Sequence, residues 1–233
     1  MGALEGRTVV VTGASRGIGR SLAVRLAAEG ASLGICGRDE AALSELEEEL
    51  GTPVVTAAFD LCREEPALEF LDRVRAGLGG IDVLINNAGF NPRKAPLAEV
   101  ATGEFDSIMA VNLRAPFLLM RECARDMKER GAGHVINILS TVCHSDMETM
   151  GAYTAAKEGL RALTNVFRKE VLADGIRVTA VYPGGTDTGF RPNPRPDYMK
   201  PSSVADAVLT ALTLPEDLVL HELTFRPMVE NNF

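Results

Sequence analysis

Two side chains of this sequence could together move a proton to or from a bound oxygen atom. Tyr153 and Lys157 lie four residues apart in a stretch whose apolar spacing predicts a helix, so both project from one face. A free tyrosine has a pKa of about 10, too high for easy proton exchange near neutrality. An ammonium beside it favours the phenolate and lowers that value. The pair therefore suits general acid–base work at an oxygen atom. Ser140 ends an expected strand just upstream, where its hydroxyl could orient the same oxygen. Each residue also has a plainer reading: Ser140 as a strand-end cap, Tyr153 as a half-buried helix residue.

A second cluster could bind phosphate. The run Thr12-Gly13-Ala14-Ser15-Arg16-Gly17-Ile18-Gly19 places three glycines where a strand must turn into a helix. Glycine lets the backbone approach a diphosphate closely, and the helix that follows offers unpaired N–H groups and a positive dipole end. The spacing is G-x-x-x-G-x-G, not the general G-x-G-x-x-G fingerprint. A site for NAD usually ends its second strand with an acid that holds the ribose hydroxyls. Here that end reads Cys36-Gly37-Arg38, with no acid at Gly37. Arg38 could pair bidentately with a 2′-phosphate, and Arg16 would lie on the same side. Two arginines and a missing carboxylate favour NADP(H), with NAD(H) left open; the plainer reading has Arg38 stacking on adenine. Asp39 reads as the N-cap of the next helix.

Residues so far apart in the chain meet only if a fold gathers them. Thr8–Thr12, Ser32–Cys36, Val54–Ala58, Val83–Ile85, His134–Leu139, Arg177–Val181 and Leu218–Phe225 read as strands. Between them Arg16–Glu29, Glu40–Leu50, Glu64–Leu78, Gly103–Arg130, Thr149–Ala173 and Ser203–Leu212 read as helices. Pro116 lacks a donor N–H and disfavours helix at Ala115, which predicts a kink or restart near Asn112. Alternating strands and helices require parallel pairing with right-handed crossovers. The expected fold is α/β: a single-domain, doubly wound parallel sheet of about seven strands with helices on both faces.

Composition excludes other classes. The 233 residues are 46% hydrophobic and 24% charged, ordinary for a globular protein with a sizeable core. A net charge of −8 without a basic cluster argues against nucleic-acid binding. No apolar run reaches the length of a membrane span, and Met1–Arg7 lacks the features of a signal peptide. Cys36, Cys62, Cys123 and Cys143 show no metal-ligand spacing, so no metal site is expected; they read as reduced thiols of a cytoplasmic protein.

Taken in order, Thr12–Gly19, Asp60, Asn86-Asn87-Ala88-Gly89, Asn112, Ser140, Tyr153 with Lys157, and Pro183-Gly184 followed by Thr188 resemble the motif series of the short-chain dehydrogenase/reductase family. The likeness runs from Thr12 to about Thr188. It implies an NADP(H)-dependent oxidoreductase that moves a hydride between nicotinamide and a carbonyl or alcohol carbon. It implies a catalytic tetrad of Asn112, Ser140, Tyr153 and Lys157, with Tyr153 as the acid or base. Ser140 would hold the substrate oxygen, Lys157 the nicotinamide ribose, and Asn112 a water linking Lys157 to solvent. The same resemblance implies cofactor contacts from Gly13, Ser15, Arg16, Gly17, Ile18, Gly19 and Arg38. Asp60 and Leu61 would meet adenine, and Asn87, Ala88 and Gly89 the adenine ribose and diphosphate. Pro183 and Gly184 would turn over the nicotinamide, with Thr186 and Thr188 near its carboxamide.

Several features fall outside that series. His144, close to Ser140, invites a triad reading, but no G-x-S-x-G elbow surrounds the serine. His144 then reads as a loop residue or a substrate contact, and Cys143 has no evident activating partner. Gly189–Pro201, with Pro192, Pro194 and Pro196, reads as a short, stiff substrate loop. Arg226–Phe233 carries no legible motif. Apolar residues on more than one face of 103–130 and 149–173 (Phe105, Phe117 and Val166 among them) predict a homodimer or homotetramer through these helices, an arrangement family members share. The expected partner is otherwise a small carbonyl or alcohol compound. A dehydratase or epimerase on the same fold, or a non-catalytic NADP(H)-binding redox sensor, are the competing readings; the sensor would predict loss of Tyr153 or Lys157.

Overall fold

The computed structural model describes residues 2–190, 193–215 and 217–231; Met1, Pro192 and Phe233, named above, lie outside them. Seven parallel strands form one sheet in the order β3-β2-β1-β4-β5-β6-β7. They are β1 (Thr8–Thr12), β2 (Ser32–Gly37), β3 (Val54–Ala58), β4 (Val83–Asn86), β5 (Gly133–Ile138), β6 (Ile176–Pro183) and β7 (Glu222–Phe225). Sequence and position agree. The central strands β1 and β4, TVVVT and VLIN, are buried along their whole length, as strands covered on both faces must be. The edge strand β7, ELTF, alternates exposed and half-buried residues.

The helices are α1 (Gly17–Ala28), α2 (Glu40–Leu50), α3 (Glu64–Leu78), α4 (Thr102–Met109), α5 (Ala115–Arg130), α6 (Gly151–Val171) and α7 (Pro201–Leu212). Leu22 and Leu26 of α1, Leu43 of α2 and Val208 of α7 pack on Val9, Val11, Leu33 and Ile35 of one sheet face. Phe70 of α3, Leu119 of α5 and Leu160 of α6 pack on Val10, Leu84 and Val135 of the other. β1, β2 and β3 step outward in one direction, and the chain then returns to place β4 beside β1 and steps outward in the other. The crevice at the carboxyl ends of β1 and β4 is the position where ligands of such sheets bind.

The expected break near Asn112 is present. A π-helical turn at Ala110–Arg114 joins α4 to α5, and Pro116 falls in the first turn of α5, where its missing N–H costs nothing. Several boundaries differ from expectation by a residue or two, and three of the shifts have a visible cause. Thr149 has φ 66°, outside the helical region, so α6 begins at Gly151 rather than Thr149. At its other end the helix tightens over Leu172–Asp174 and stops at Gly175 in the left-handed conformation. β7 is shorter than Leu218–Phe225: Leu218 N–H donates to Pro215 O in a turn, and pairing with β6 starts where Ala180 N–H reaches His221 O. Among the described residues no helix is long and apolar enough to cross a membrane.

Candidate active site

The segments that follow β1 to β6 at the carboxyl edge of the sheet, with Glu230, enclose a cleft of about 970 Å³. At one end lie Ser140, Tyr153 and Lys157. Ser140 follows β5, and its Oγ accepts from Val142 N–H at 3.3 Å, capping a tight turn over Thr141–Cys143. The plain capping role and a place in the cleft thus hold together. Lys157 is 2% exposed, and its Nζ donates to Ile138 O at 2.8 Å, which ties α6 to the end of β5. The same Nζ lies 5.7 Å from the centre of the Tyr153 ring. Burial pulls the Lys157 pKa down from 10.5 to about 8. Tyr153 packs among Ile108, Val142, Met150 and Ala156, with Phe90 and Met147 at the margin.

Asn112 stands behind the wall rather than in it. It is fully buried, and both protons of its amide are taken: Nδ2 donates to Ile108 O at 2.8 Å and to Phe90 O at 2.7 Å. Oδ1 accepts from Phe90 N–H at 3.1 Å. The side chain fastens the segment after β4 to the break between α4 and α5. Asn112 sits within the π turn that separates α4 from α5.

At the other end the glycine turn meets the β4 loop. Thr12 Oγ1 accepts from Asn87 N–H and Ala88 N–H, both at 3.0 Å, and Asn87 Nδ2 donates to Thr12 O at 2.8 Å. A Cβ on Gly19 would lie 2.1 Å from Gly13 O, so only glycine lets α1 start this close to the turn. No side chain caps α1 at Arg16, and Gly17, Ile18 and Gly19 of its first turn line the cleft. Asp39, in contrast, caps α2 as expected, accepting from Ala42 N–H at 3.1 Å. Arg38 carries its guanidinium over the Phe90 ring, 5.5 Å from the centre. Asp60 Oδ1 accepts from Cys62 N–H at 2.9 Å.

The structure brings together Gly13, Ser15, Arg16, Gly17, Ile18, Gly19, Arg38, Asp60, Leu61, Asn87, Ala88, Gly89, Pro183, Gly184, Thr186 and Thr188 along the walls of the same cleft as Ser140, Tyr153 and Lys157. Of the two readings of His144, the structure gives the loop residue: it follows the turn over Thr141–Cys143 and does not line the cleft, its ring lies 4.5 Å from that of Tyr182 at a tilt of 44°, and Nε2 lies 3.3 Å from Thr224 Oγ1. Cys143 is buried, and that burial pushes its thiol up to about 12, so it stays protonated. Sequence reasoning missed Phe90, Met147, Met150, Phe190, Tyr198 and Glu230, which also line the cleft; Phe190 lies 5.9 Å ring to ring from Tyr153. They sit in loops and the C-terminal segment, where no periodicity marks an inward face.

The family model for short chain dehydrogenases matches residues 7–198. An uncharacterized oxidoreductase of Staphylococcus epidermidis is 30% identical over 236 residues, covering 98% of this chain and all of that protein. Among solved structures, a metagenomic short-chain oxidoreductase in complex with NADP superposes with a TM-score of 0.88 at 34% identity, covering 98% of this chain and 100% of the other. An alcohol dehydrogenase of the archaeon Thermococcus sibiricus, complexed with 5-hydroxy-NADP, gives 0.87 at 30% identity over 97% and 98%. With its parallel seven-stranded sheet and its ordered motifs, the chain belongs to the short-chain dehydrogenase family of oxidoreductases.

Proposed function

We propose that this oxidoreductase is NADP(H)-dependent and interconverts a small carbonyl compound and its alcohol, with Tyr153 as the proton donor or acceptor. One observation carries the reading: Tyr153, Lys157 and Ser140 share a single cleft with an uncapped helix start and with Arg16 and Arg38. Neither arginine forms an ion pair among the described residues, and Arg38 meets only the Phe90 ring face, so the charge of both is uncompensated where a phosphate would arrive. The glycine turn fits a dinucleotide, because its backbone is bare where a diphosphate would approach. The two solved relatives above were bound to NADP or a derivative of it.

When bound, NADPH supplies the hydride. The protein's part lies at the oxygen. Ser140 holds the carbonyl oxygen, and the Tyr153 hydroxyl donates the proton that completes the alcohol. Lys157, kept as a buried cation below about pH 8, favours the phenolate left behind. Asn112 keeps Phe90 and the segment after Gly89 in register with this end of the cleft. Phe90, Val142, Met147, Met150 and Phe190 make the wall beside Tyr153 apolar, which suits a substrate with an apolar body and excludes water from the reacting centre. Phe190, Arg195 and Tyr198 would form its outer edge.

Outward on α4, α5 and α6, Phe105, Phe117 and Val166 are 37%, 44% and 54% exposed. We place the contact between subunits there, with a dimer or tetramer as the solution state. Unpaired cysteines suit a reducing compartment, and we place the protein in the cytoplasm. The test of function is a panel of ketones and aldehydes offered with NADPH or NADH while the reduced nicotinamide absorbance is followed. Turnover with NADPH of at least one apolar carbonyl compound is expected; no oxidation of either cofactor across the panel would contradict it. Light scattering at micromolar concentration tests the assembly, and a monomeric mass would overturn it.

A further inference from the structure

The C-terminal segment, which has no motif in sequence, reaches the cleft. After β7 the chain turns back through Arg226–Glu230, closed by Glu230 N–H donating to Pro227 O at 3.0 Å. Glu230 then lies against the turn that follows β6, and its Oε1 accepts from Gly185 N–H at 3.0 Å. One residue earlier, Gly184 N–H donates to Phe225 O at 2.8 Å. On the opposite side Met199 N–H donates to Gly185 O at 3.1 Å, and Asp187 N–H to Met199 O at 2.9 Å. The turn therefore hangs between two supports, and Gly184, Gly185 and Thr186 all line the cleft.

The fit around Gly185 is close. A Cβ there would lie 2.3 Å from the Tyr198 ring and 2.6 Å from Glu230 Oε1, so ring and carboxylate rest directly on the backbone. Arg226 Nη1 stands 3.8 Å from Glu230 Oε2, close enough for attraction between charges. Oε2 itself is buried without a hydrogen-bond partner. Holding a carboxylate in so enclosed a place is costly, and a tail that only had to cover β7 could do so with an apolar residue. What the acid adds is a charge-assisted bond to one backbone N–H of the turn.

We propose that Glu230 is a positioning residue: by accepting from Gly185 N–H it fixes the Gly184–Thr188 turn and so sets how tightly the nicotinamide half of the cofactor is held. This rests on reading the cleft as an NADP(H) site. Alignment at a reacting centre tolerates only small displacements, so a loosened turn affects binding and turnover together.

The experiment compares dissociation constants for NADP⁺ and for 2′,5′-ADP, which carries the phosphorylated adenosine half without nicotinamide. Glu230→Ala should weaken NADP⁺ about tenfold, the scale of one lost bond to a charged group. It should raise KM for NADPH in step and leave 2′,5′-ADP binding unchanged. Glu230→Gln keeps an oxygen acceptor without the charge and should restore about half of the loss in binding free energy. Glu230→Asp keeps the charge but is one methylene too short, and should behave like the alanine variant. The glutamine and aspartate pair carries the test alone if the alanine variant does not fold. Equal weakening of both ligands, no weakening, or rescue by aspartate and not by glutamine would overturn the proposal, the last because the Arg226 pair would then be what matters. A wild-type protein that binds neither ligand would overturn the underlying reading of the cleft instead.

Discussion

The two ends of the cleft are built on opposite plans. At the catalytic end the polar groups are already tied to the protein: Lys157 to Ile138 O, Asn112 to Phe90 and Ile108, Ser140 to the turn after it. At the phosphate end Thr12 and Asn87 are tied likewise, but the two arginines are not. Arg16 and Arg38 are exposed and make no ion pair among the described residues, and the first turn of α1 has no side-chain cap. Proton transfer needs groups held in place before the substrate arrives. Recognition of a phosphate needs charge left available until it arrives. Substitutions at the first end should therefore change turnover or stability, and those at the second should change ligand affinity alone.

The sharpest contrast comes from Tyr153→Phe, which removes one hydroxyl and leaves the ring packing. Turnover should fall by about 10²–10⁴-fold, the usual worth of a positioned general acid, while NADPH binding survives. Near-normal turnover would break the mechanism. Asn112→Ala should act on stability: three hydrogen bonds vanish and the Phe90 backbone groups lose their partners, costing on the order of 3 kcal/mol in denaturant unfolding. A loss below about 0.5 kcal/mol, the scale of an ordinary surface change, would mean that the pre-tied catalytic end is an illusion.

Arg38→Ala should do the reverse, leaving unfolding unchanged and weakening NADPH by about tenfold to a hundredfold, with NADH little affected. Solvent exposure favours the lower figure. If both cofactors weaken equally, Arg38 stacks on adenine rather than pairing with phosphate. Adding Gly37→Asp should tilt preference toward NADH. The new Cβ would meet Ser15 Oγ at 3.2 Å, a small side chain that can rotate aside.

The smallest effect concerns pH. The folded-state pKa of Lys157, about 8, lies below its ordinary 10.5, so above pH 8 the unfolded chain binds more protons than the native one. This lysine's contribution to stability must then rise with pH between those values. From pH 8 to 9 the gain is about 1 kcal/mol. Denaturant unfolding of wild type and Lys157→Met at both values measures it, and an identical pH response in the two proteins would show that the lysine is not depressed.

Much of this was legible because strands and helices write periodic patterns. The β-branched run at Thr8–Thr12, the glycines after it and the polar helix at Glu40–Leu50 appear in the structure at those positions. Pro116 announced the break beside Asn112 because a missing donor is a local fact. What the Asn112 side chain holds was not legible, since Phe90 is brought to it only by the packing of the β4 loop. His144 shows the same limit from the other side. Nearness to Ser140 in sequence left a substrate contact open beside a plain loop residue, and only the turn of three residues that carries the ring to Tyr182 and Thr224 decides between them. Phe190 and Glu230 reach the cleft from segments without period, where tertiary contacts alone decide which way a side chain faces.

The central claim is hydride transfer between NADPH and a carbonyl carbon in this cleft. NADPH deuterated at C4 of its nicotinamide, on either face in separate runs, would be incubated with a carbonyl compound that the enzyme consumes, and the alcohol analysed by mass spectrometry. One face should deliver one deuterium to the carbinol carbon of every product molecule, and Tyr153→Phe should slow its appearance in proportion to turnover. Consumption of the carbonyl compound with no deuterium in the product from either face would contradict the account.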